Sequence, residues 1–276
     1  IGDWEDTEYF QTVKERLPKY ATIIIDEAQD YKREWVEILK NYFLKSDGEF
    51  VIYFDVNQDI YHRKSIASFP ILGRPNELSK SYRLSTTIAN LTKKFYNAFL
   101  DTSEPFEIEE EKITLDFQEF RENISYKYFD QSVDSEELYQ YIKKQITLSN
   151  SSPDDIAIIG TSIGKVRDIE NYFRTVKNEA TTRMFESSEE YNELVKKTPE
   201  GEDSGKFKMA LKDIRRQYKL HKFNLVTGSM KFSSLHSFKG WEIHTLFLII
   251  NEGDIQNTSF LDESEDDFLN EQLIYT

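Results

Sequence analysis

The run Thr22-Ile23-Ile24-Ile25-Asp26-Glu27-Ala28-Gln29-Asp30 constrains the fold more than any other stretch of the sequence. Three consecutive β-branched apolar residues predict a strand of a parallel sheet, covered on both faces and so free of alternation. The chain then turns acidic at once. Adjacent carboxylates at the carboxyl end of such a strand stand where open α/β sheets place their ligands, and packing alone does not require them. Asp26 can hold Mg²⁺ directly or through water, and Glu27 can take a proton from an attacking water. The competing explanation is structural, with the acid pair opening a turn and Asp30 capping the next helix.

The surrounding pattern supports a sheet with crossover helices. Trp4, Phe10, Val13 and Leu17 fall at near-helical spacing, and Pro18 closes that segment before the strand. Trp35, Ile38, Leu39, Tyr42 and Phe43 form a second helical stripe, broken at Asp47-Gly48. Phe50-Val51-Ile52-Tyr53-Phe54 is a second apolar strand that also runs into polar residues, Asp55-Val56-Asn57-Gln58-Asp59-Ile60-Tyr61. Strand, helix, strand is a βαβ unit with two polar tips on one edge. Ile88, Leu91, Phe95 and Phe99 mark another helix after Tyr82-Arg83, whose guanidinium suits a phosphate and whose ring suits a base.

The alternation then repeats. Acid-rich residues 101–123 are expected to connect a first domain, residues 1–100, to a second, residues 124–276. In the second, residues 124–129 are expected to form a strand, Leu138, Tyr141, Ile142 and Ile146 a helix, Ile156-Ala157-Ile158-Ile159 a strand and residues 166–173 a helix. A helical insertion is expected around residues 183–230, and Thr245-Leu246-Phe247-Leu248-Ile249-Ile250 is a further strand. The acidic residues 261–267 predict a loop, followed by a final helix or strand. The fold class expected is therefore α/β with two parallel-sheet domains, the first incomplete.

Charge and composition limit the function. The 276 residues hold 35 Lys plus Arg against 50 Asp plus Glu, a formal charge of 35 − 50 = −15. A uniformly basic face is excluded, so strand binding would depend on a local groove. The one basic concentration is Lys212, Arg215, Arg216, Lys219 and Lys222. With no Cys there are no disulfides, thiolate metal sites or Cys nucleophiles. No apolar run approaches the length of a membrane span and no signal segment opens the chain, so no membrane association and a cytoplasmic location are expected. Ile1 is not an initiator Met, and the chain is expected to be a piece of a longer polypeptide.

Two stretches imitate a phosphate-binding loop: Gly160-Thr161-Ser162-Ile163-Gly164-Lys165 and Gly201-Glu202-Asp203-Ser204-Gly205-Lys206. Each has one residue too few between its glycines and lacks the Ser or Thr after Lys. The first is expected to be a strand-to-helix turn and the second a mobile surface loop.

Taken in order, the polar stretches resemble the motifs of superfamily 1 DNA helicases of the UvrD/Rep kind. Ile25-Asp26-Glu27-Ala28-Gln29-Asp30 resembles motif II (Walker B), Asp55 to Tyr61 motif III, and Ser81-Tyr82-Arg83 motif IV. Ser234-Leu235-His236-Ser237-Phe238-Lys239-Gly240-Trp241-Glu242 resembles motif V, and residues 270–276 the opening of motif VI. The resemblance implies two RecA-like domains of the P-loop NTPase type, with ATP and Mg²⁺ as cofactors and single-stranded or partly duplex DNA as partner. By it, Asp26 binds Mg²⁺, Glu27 activates water, and Gln58 senses the γ-phosphate. Tyr82 stacks on the base, Arg83 bonds the γ-phosphate and Glu242 lies near the ribose. His236, Lys239 and Tyr61 lie on the nucleic-acid side.

The departures from the family pattern carry their own expectation. A Walker A loop should precede motif II and an arginine should complete motif VI, and neither is in the sequence. Phe54 stands where the family prefers Gly, Ser234 where Thr is usual and Trp241 where Leu is usual. This polypeptide is therefore expected to hydrolyse ATP poorly by itself. The alternative is a degenerate helicase-like scaffold that binds a protein partner. The retained Glu27, Gln58 and Arg83 count against it, since a scaffold has no use for a water-activating carboxylate.

Overall fold

A computed structural model describes residues 6–55, 76, 80–81, 86–99, 109–110, 124–129, 134–224 and 226–251. The described residues fall into two compact units, one up to Ile124 and one from Ser125 onward. Both are α/β, and every strand pairing is parallel. Tyr82, Arg83, Gln58 and Tyr61 lie outside the described residues, as do residues 252–276 with the expected acidic loop and the motif VI opening.

The first unit begins with α1 (Thr7–Val13), which Asp6 caps by accepting from the amides of Glu8 and Tyr9 at 2.9 and 3.1 Å. It leads into β1 (Tyr20–Ile25). The chain then passes through α2 (Arg33–Ile38) and a π turn, Leu39–Phe43, to β2 (Leu44–Ile52), which pairs with β1 as Ile23↔Phe50, Ile24↔Val51 and Ile25↔Ile52. Ile25, Ala28 and Val36 form the core beneath, with Ile23, Leu39, Phe50 and Ile52 packed on it. Backbone pairs Lys80–Ser81 (β3) and Glu109–Glu110 (β4) form a second short ladder, and α3 spans Thr86–Phe99.

Several expectations change here. Ile24 is 62% exposed, so β1 is covered on one face among the described residues, not on both. Asp47-Gly48 ends no helix; it sits in a bulge of β2, where the register jumps from Tyr20↔Leu44 to Thr22↔Glu49. A Cβ on Gly48 would stand 2.9 Å from the Ala21 carbonyl oxygen, so only glycine fits that approach. Asp30 is not a cap: it ends a 3₁₀ turn, Ala28–Asp30, and α2 starts after Lys32. In α3 the buried residues are Ala89 and Tyr96, while Ile88 and Leu91 are exposed. Both stripes are apolar enough that periodicity does not fix the rotation.

The second unit starts with an extended segment, residues 124–129, that joins no strand ladder among the described residues, contrary to expectation. Its Tyr126 and Tyr128 face solvent, and it is held by side chains instead: Lys127 pairs with Glu137 at 3.0 Å, and Phe129 meets Tyr141 edge to face. Then follow α4 (Ser135–Ser149), β5 (Ile156–Gly160), α5 (Ile163–Thr175) and β6 (Thr181–Arg183). Next come α6 (Ser188–Lys197), α7 (Gly205–Gln217), β7 (Met230–Ser234), α8 (Leu235–Phe238) and β8 (Thr245–Ile249). The sheet order is β6-β7-β5-β8. Ile156, Ile158, Met230 and Phe232 face α4 and α5 across a core with Leu138, Ile142, Val166 and Phe173.

The first phosphate-loop imitation is a strand-to-helix turn, as expected. The second is a surface turn only from Gly201 to Ser204: Ser204 accepts from the Phe207 amide at 3.2 Å, and Gly205-Lys206 begins α7. α6 carries a capping box, Ser187 to the Glu190 amide at 3.1 Å and Glu190 back to the Ser187 amide at 2.8 Å.

Buried polar groups fasten this unit where apolar pattern is thin. The Glu186 carboxylate, fully buried, takes Arg167 of α5 at 2.7 Å and Arg215 of α7 at 2.8 Å, tying both helices to the chain that leaves β6. Lys231, buried inside β7, reaches Asp154 at 2.9 Å. The same Asp154 oxygen accepts from the amides of Thr227, Gly228 and Ser229 at 2.8, 2.6 and 3.3 Å, so the turn before β7 wraps the carboxylate that precedes β5. The Lys231 ammonium, then the amides, hold Asp154 down to about 2 against a smaller opposing effect of burial.

A depressed carboxylate stabilises the fold above its unfolded value, and that contribution is lost as pH falls through the folded value. The thermal midpoint should therefore drop between about pH 4 and pH 2, and Asp154→Asn should lower it at neutral pH and flatten the acid limb. Circular dichroism melts across that range test this, and an identical pH profile in the variant would contradict it.

Candidate functional site

The acid pair sits where β1 stops. Tyr53 N–H donates to the Ile25 carbonyl at 2.8 Å, and Ala28 N–H to the Tyr53 carbonyl at 2.9 Å, so the chain after β1 folds against the end of β2. To make that fold Glu27 takes a left-handed backbone, φ 52°. A non-glycine residue held there is strained by roughly 1 kcal/mol or more and persists only where its surroundings fix it. Both carboxylates are exposed. Asp26 Oδ1 accepts the Glu27 amide at 3.0 Å.

What fixes Glu27 is Gln29, a fully buried residue that the sequence pattern does not single out for a role. Its side-chain amide donates to Glu27 Oε2, and its Oε1 accepts the Asp55 amide at 3.0 Å. One amide group thus couples the water-activating candidate on the β1 tip to the first polar residue beyond β2. This is the stretch that leads into Gln58 and Tyr61. The only available clue was chemical: between Glu27 and Asp30, Gln29 alone has a side chain that can donate and accept at once.

In the second unit, β7 delivers Ser234 beside Gly160 of β5. After β5 the chain crosses toward β6, and after β7 it crosses the other way to β8. Right-handed crossovers in opposite directions place their connections on opposite faces, and the boundary between them is where open sheets leave a crevice. The Ser234 hydroxyl accepts the Ser237 amide at 3.3 Å and starts the single turn of α8. Leu235 and Phe238 anchor that turn in the core, while His236, Ser237 and Lys239 are half-buried and Glu242 is exposed. Gly240 at φ 81° turns the chain, and Trp241 packs edge to face on Phe223 at 5.2 Å. The structure therefore brings His236, Lys239 and Glu242 together on one short segment at the carboxyl edge of the sheet. It brings Asp26 and Glu27 together on the corresponding edge of the other unit.

Among the described residues no three His, Asp or Glu side chains converge to hold a metal. No protein-family model matches the chain, and no curated protein matches it.

Gln29→Leu keeps the buried volume but removes the acceptor of the Asp55 amide and one donor to Glu27. An unmet buried donor costs roughly 1–3 kcal/mol. Hydrogen exchange should show the Asp55 amide losing about tenfold protection or more. Unchanged protection would mean that Gln29 does not hold this edge.

Proposed function

We propose that the chain is part of an ATP-driven motor acting on single-stranded DNA, of the superfamily 1 UvrD/Rep kind that its motifs resemble. The observation that carries the proposal is the acid pair on the β1 tip, with Glu27 strained, exposed and held by Gln29. Packing has no need of such an arrangement, and a group that must face an attacking water has.

Asp26 suits Mg²⁺. It is an exposed carboxylate, and among the described residues no three His, Asp or Glu side chains gather around it. Calcium and zinc sites draw most of their ligands from protein, whereas Mg²⁺ keeps its waters and substrate phosphates around one or two carboxylates. Bound there, Mg²⁺ supplies positive charge against the phosphate oxygens. Glu27 accepts the proton of the attacking water, and Gln29 keeps its carboxylate aimed outward. By the resemblance, Gln58 and Arg83 address the γ-phosphate, Tyr82 the base and Glu242 the ribose, while His236, Lys239 and Tyr61 serve the strand. Two RecA-like domains of the P-loop NTPase type would divide this work, and hydrolysis would depend on their closure.

Titration with a fluorescent ATP analogue tests the nucleotide half: binding should require Mg²⁺ and weaken in Asp26→Ala. Binding that ignores both EDTA and the substitution would remove the basis for the proposal. Within the proposed motor, Glu27→Gln should lower the DNA-stimulated kcat by roughly 10²–10⁴-fold, with KM for ATP little changed.

A further inference from the structure

Many of the long basic side chains in the second unit have an acidic partner. Lys127, Lys143, Lys177, Lys197, Lys206 and Lys222 are paired, as are Arg167, Arg174, Arg183 and Arg215. With carboxylates in excess by 15, that is the expected state of a cation in this chain. Lys144, Lys165 and Lys196 are isolated exceptions among the described residues, and on the outer side of α7 unpaired cations stand together. Lys208, Lys212, Arg216 and Lys219 are all exposed, and none of them is ion-paired among the described residues.

Helical geometry places these four on one line. At 100° per residue, positions 208, 212, 216 and 219 fall within about 80° of the circumference, in steps of roughly 6 Å or less along the axis. Lys219 lies in the π turn, Tyr218–Lys222, that continues the helix. Arg215 and Lys222, which the sequence groups with them, point elsewhere: Arg215 to buried Glu186, and Lys222 onto the Tyr218 ring at 3.9 Å. The opposite face of α7 is the unit's own core, through Phe207 and Tyr218. Among the described residues, Met209 and Leu220, 64% and 59% exposed, offer the apolar surface beside the stripe.

We propose that the outer stripe of α7, Lys208, Lys212, Arg216 and Lys219, is a contact line for the sugar–phosphate backbone of a nucleic acid, on a different element from His236 and Lys239. An evenly stepped row of unpaired cations on a rigid helix complements a phosphate chain, and each phosphate neutralised releases counterions. A membrane surface fits less well, because two side chains leave little to insert and the helix cannot roll its buried face outward. The inference deepens the motor proposal and rests on it only for the choice of a single strand as first probe.

The test is fluorescence anisotropy with labelled oligothymidylate and with duplex across a salt series, on the chain and on a variant with all four residues changed to Gln. The variant should bind single strand roughly tenfold or more weakly, and its log–log salt slope should fall by about 3, or 0.7 for each of four contacts. A companion variant, K208R/K212R/R216K/K219R, should keep both. Unchanged affinity and slope in a Gln variant that melts like the parent would overturn the proposal. So would a parent that binds neither strand nor duplex, or a Gln variant that loses only phosphatidylserine vesicles. Nucleotide binding on the same proteins separates the two ideas. Stripe-dependent DNA binding without triphosphate binding sinks the motor and leaves the stripe. Triphosphate binding with DNA held as tightly by the Gln variant does the reverse.

Discussion

A parallel strand pair cannot be joined by a tight turn, so each strand must send the chain over the sheet and back to the same end. In this protein that constraint puts the amino ends of β5 and β7 side by side at one edge of the sheet and their carboxyl ends at the other. The two edges are used differently. The amino edge is closed by Asp154, which binds Lys231 and three consecutive amides. The carboxyl edge carries Ser234, His236 and Lys239, and in the other unit Asp26 and Glu27. The strands are thus locked at one end and carry the candidate residues at the other.

The strands that were legible in the sequence were those with continuous apolar runs. Ile156 to Ile159 and Thr245 to Ile249 form β5 and β8, and Ile23 to Ile25 lie in β1. β6 and β7 were not legible, for a physical reason. Thr181-Thr182-Arg183, half-buried, and Met230-Lys231-Phe232-Ser233-Ser234, buried, carry charged and hydroxyl side chains, of which Thr182, Arg183 and Lys231 are answered by partners distant in sequence. Periodicity reports burial only when the buried face is apolar. The reverse error occurred at residues 124–129, whose aromatic alternation suits a strand but finds no ladder among the described residues.

The candidate site was legible as residue types and not as couplings. An acid pair after an apolar strand can be read directly. That Glu27 must adopt a left-handed backbone, and that Gln29 holds it, depends on the register of β2 against β1, which no local pattern encodes. The basic cluster shows the same limit. Five adjacent-looking cations divide into two that serve the fold and three that face outward, joined there by Lys208, and only the rotation of α7 sorts them.

The Asp154 clamp has a mechanical consequence. Because it joins the roots of β5 and β7, unzipping from that edge must first break the Lys231 ion pair and the amide bonds to Asp154 before the ladder from Ala157 to Gly160 begins to open. Fraying of the central pair should accordingly start at the opposite edge, at Gly160 and Ser234.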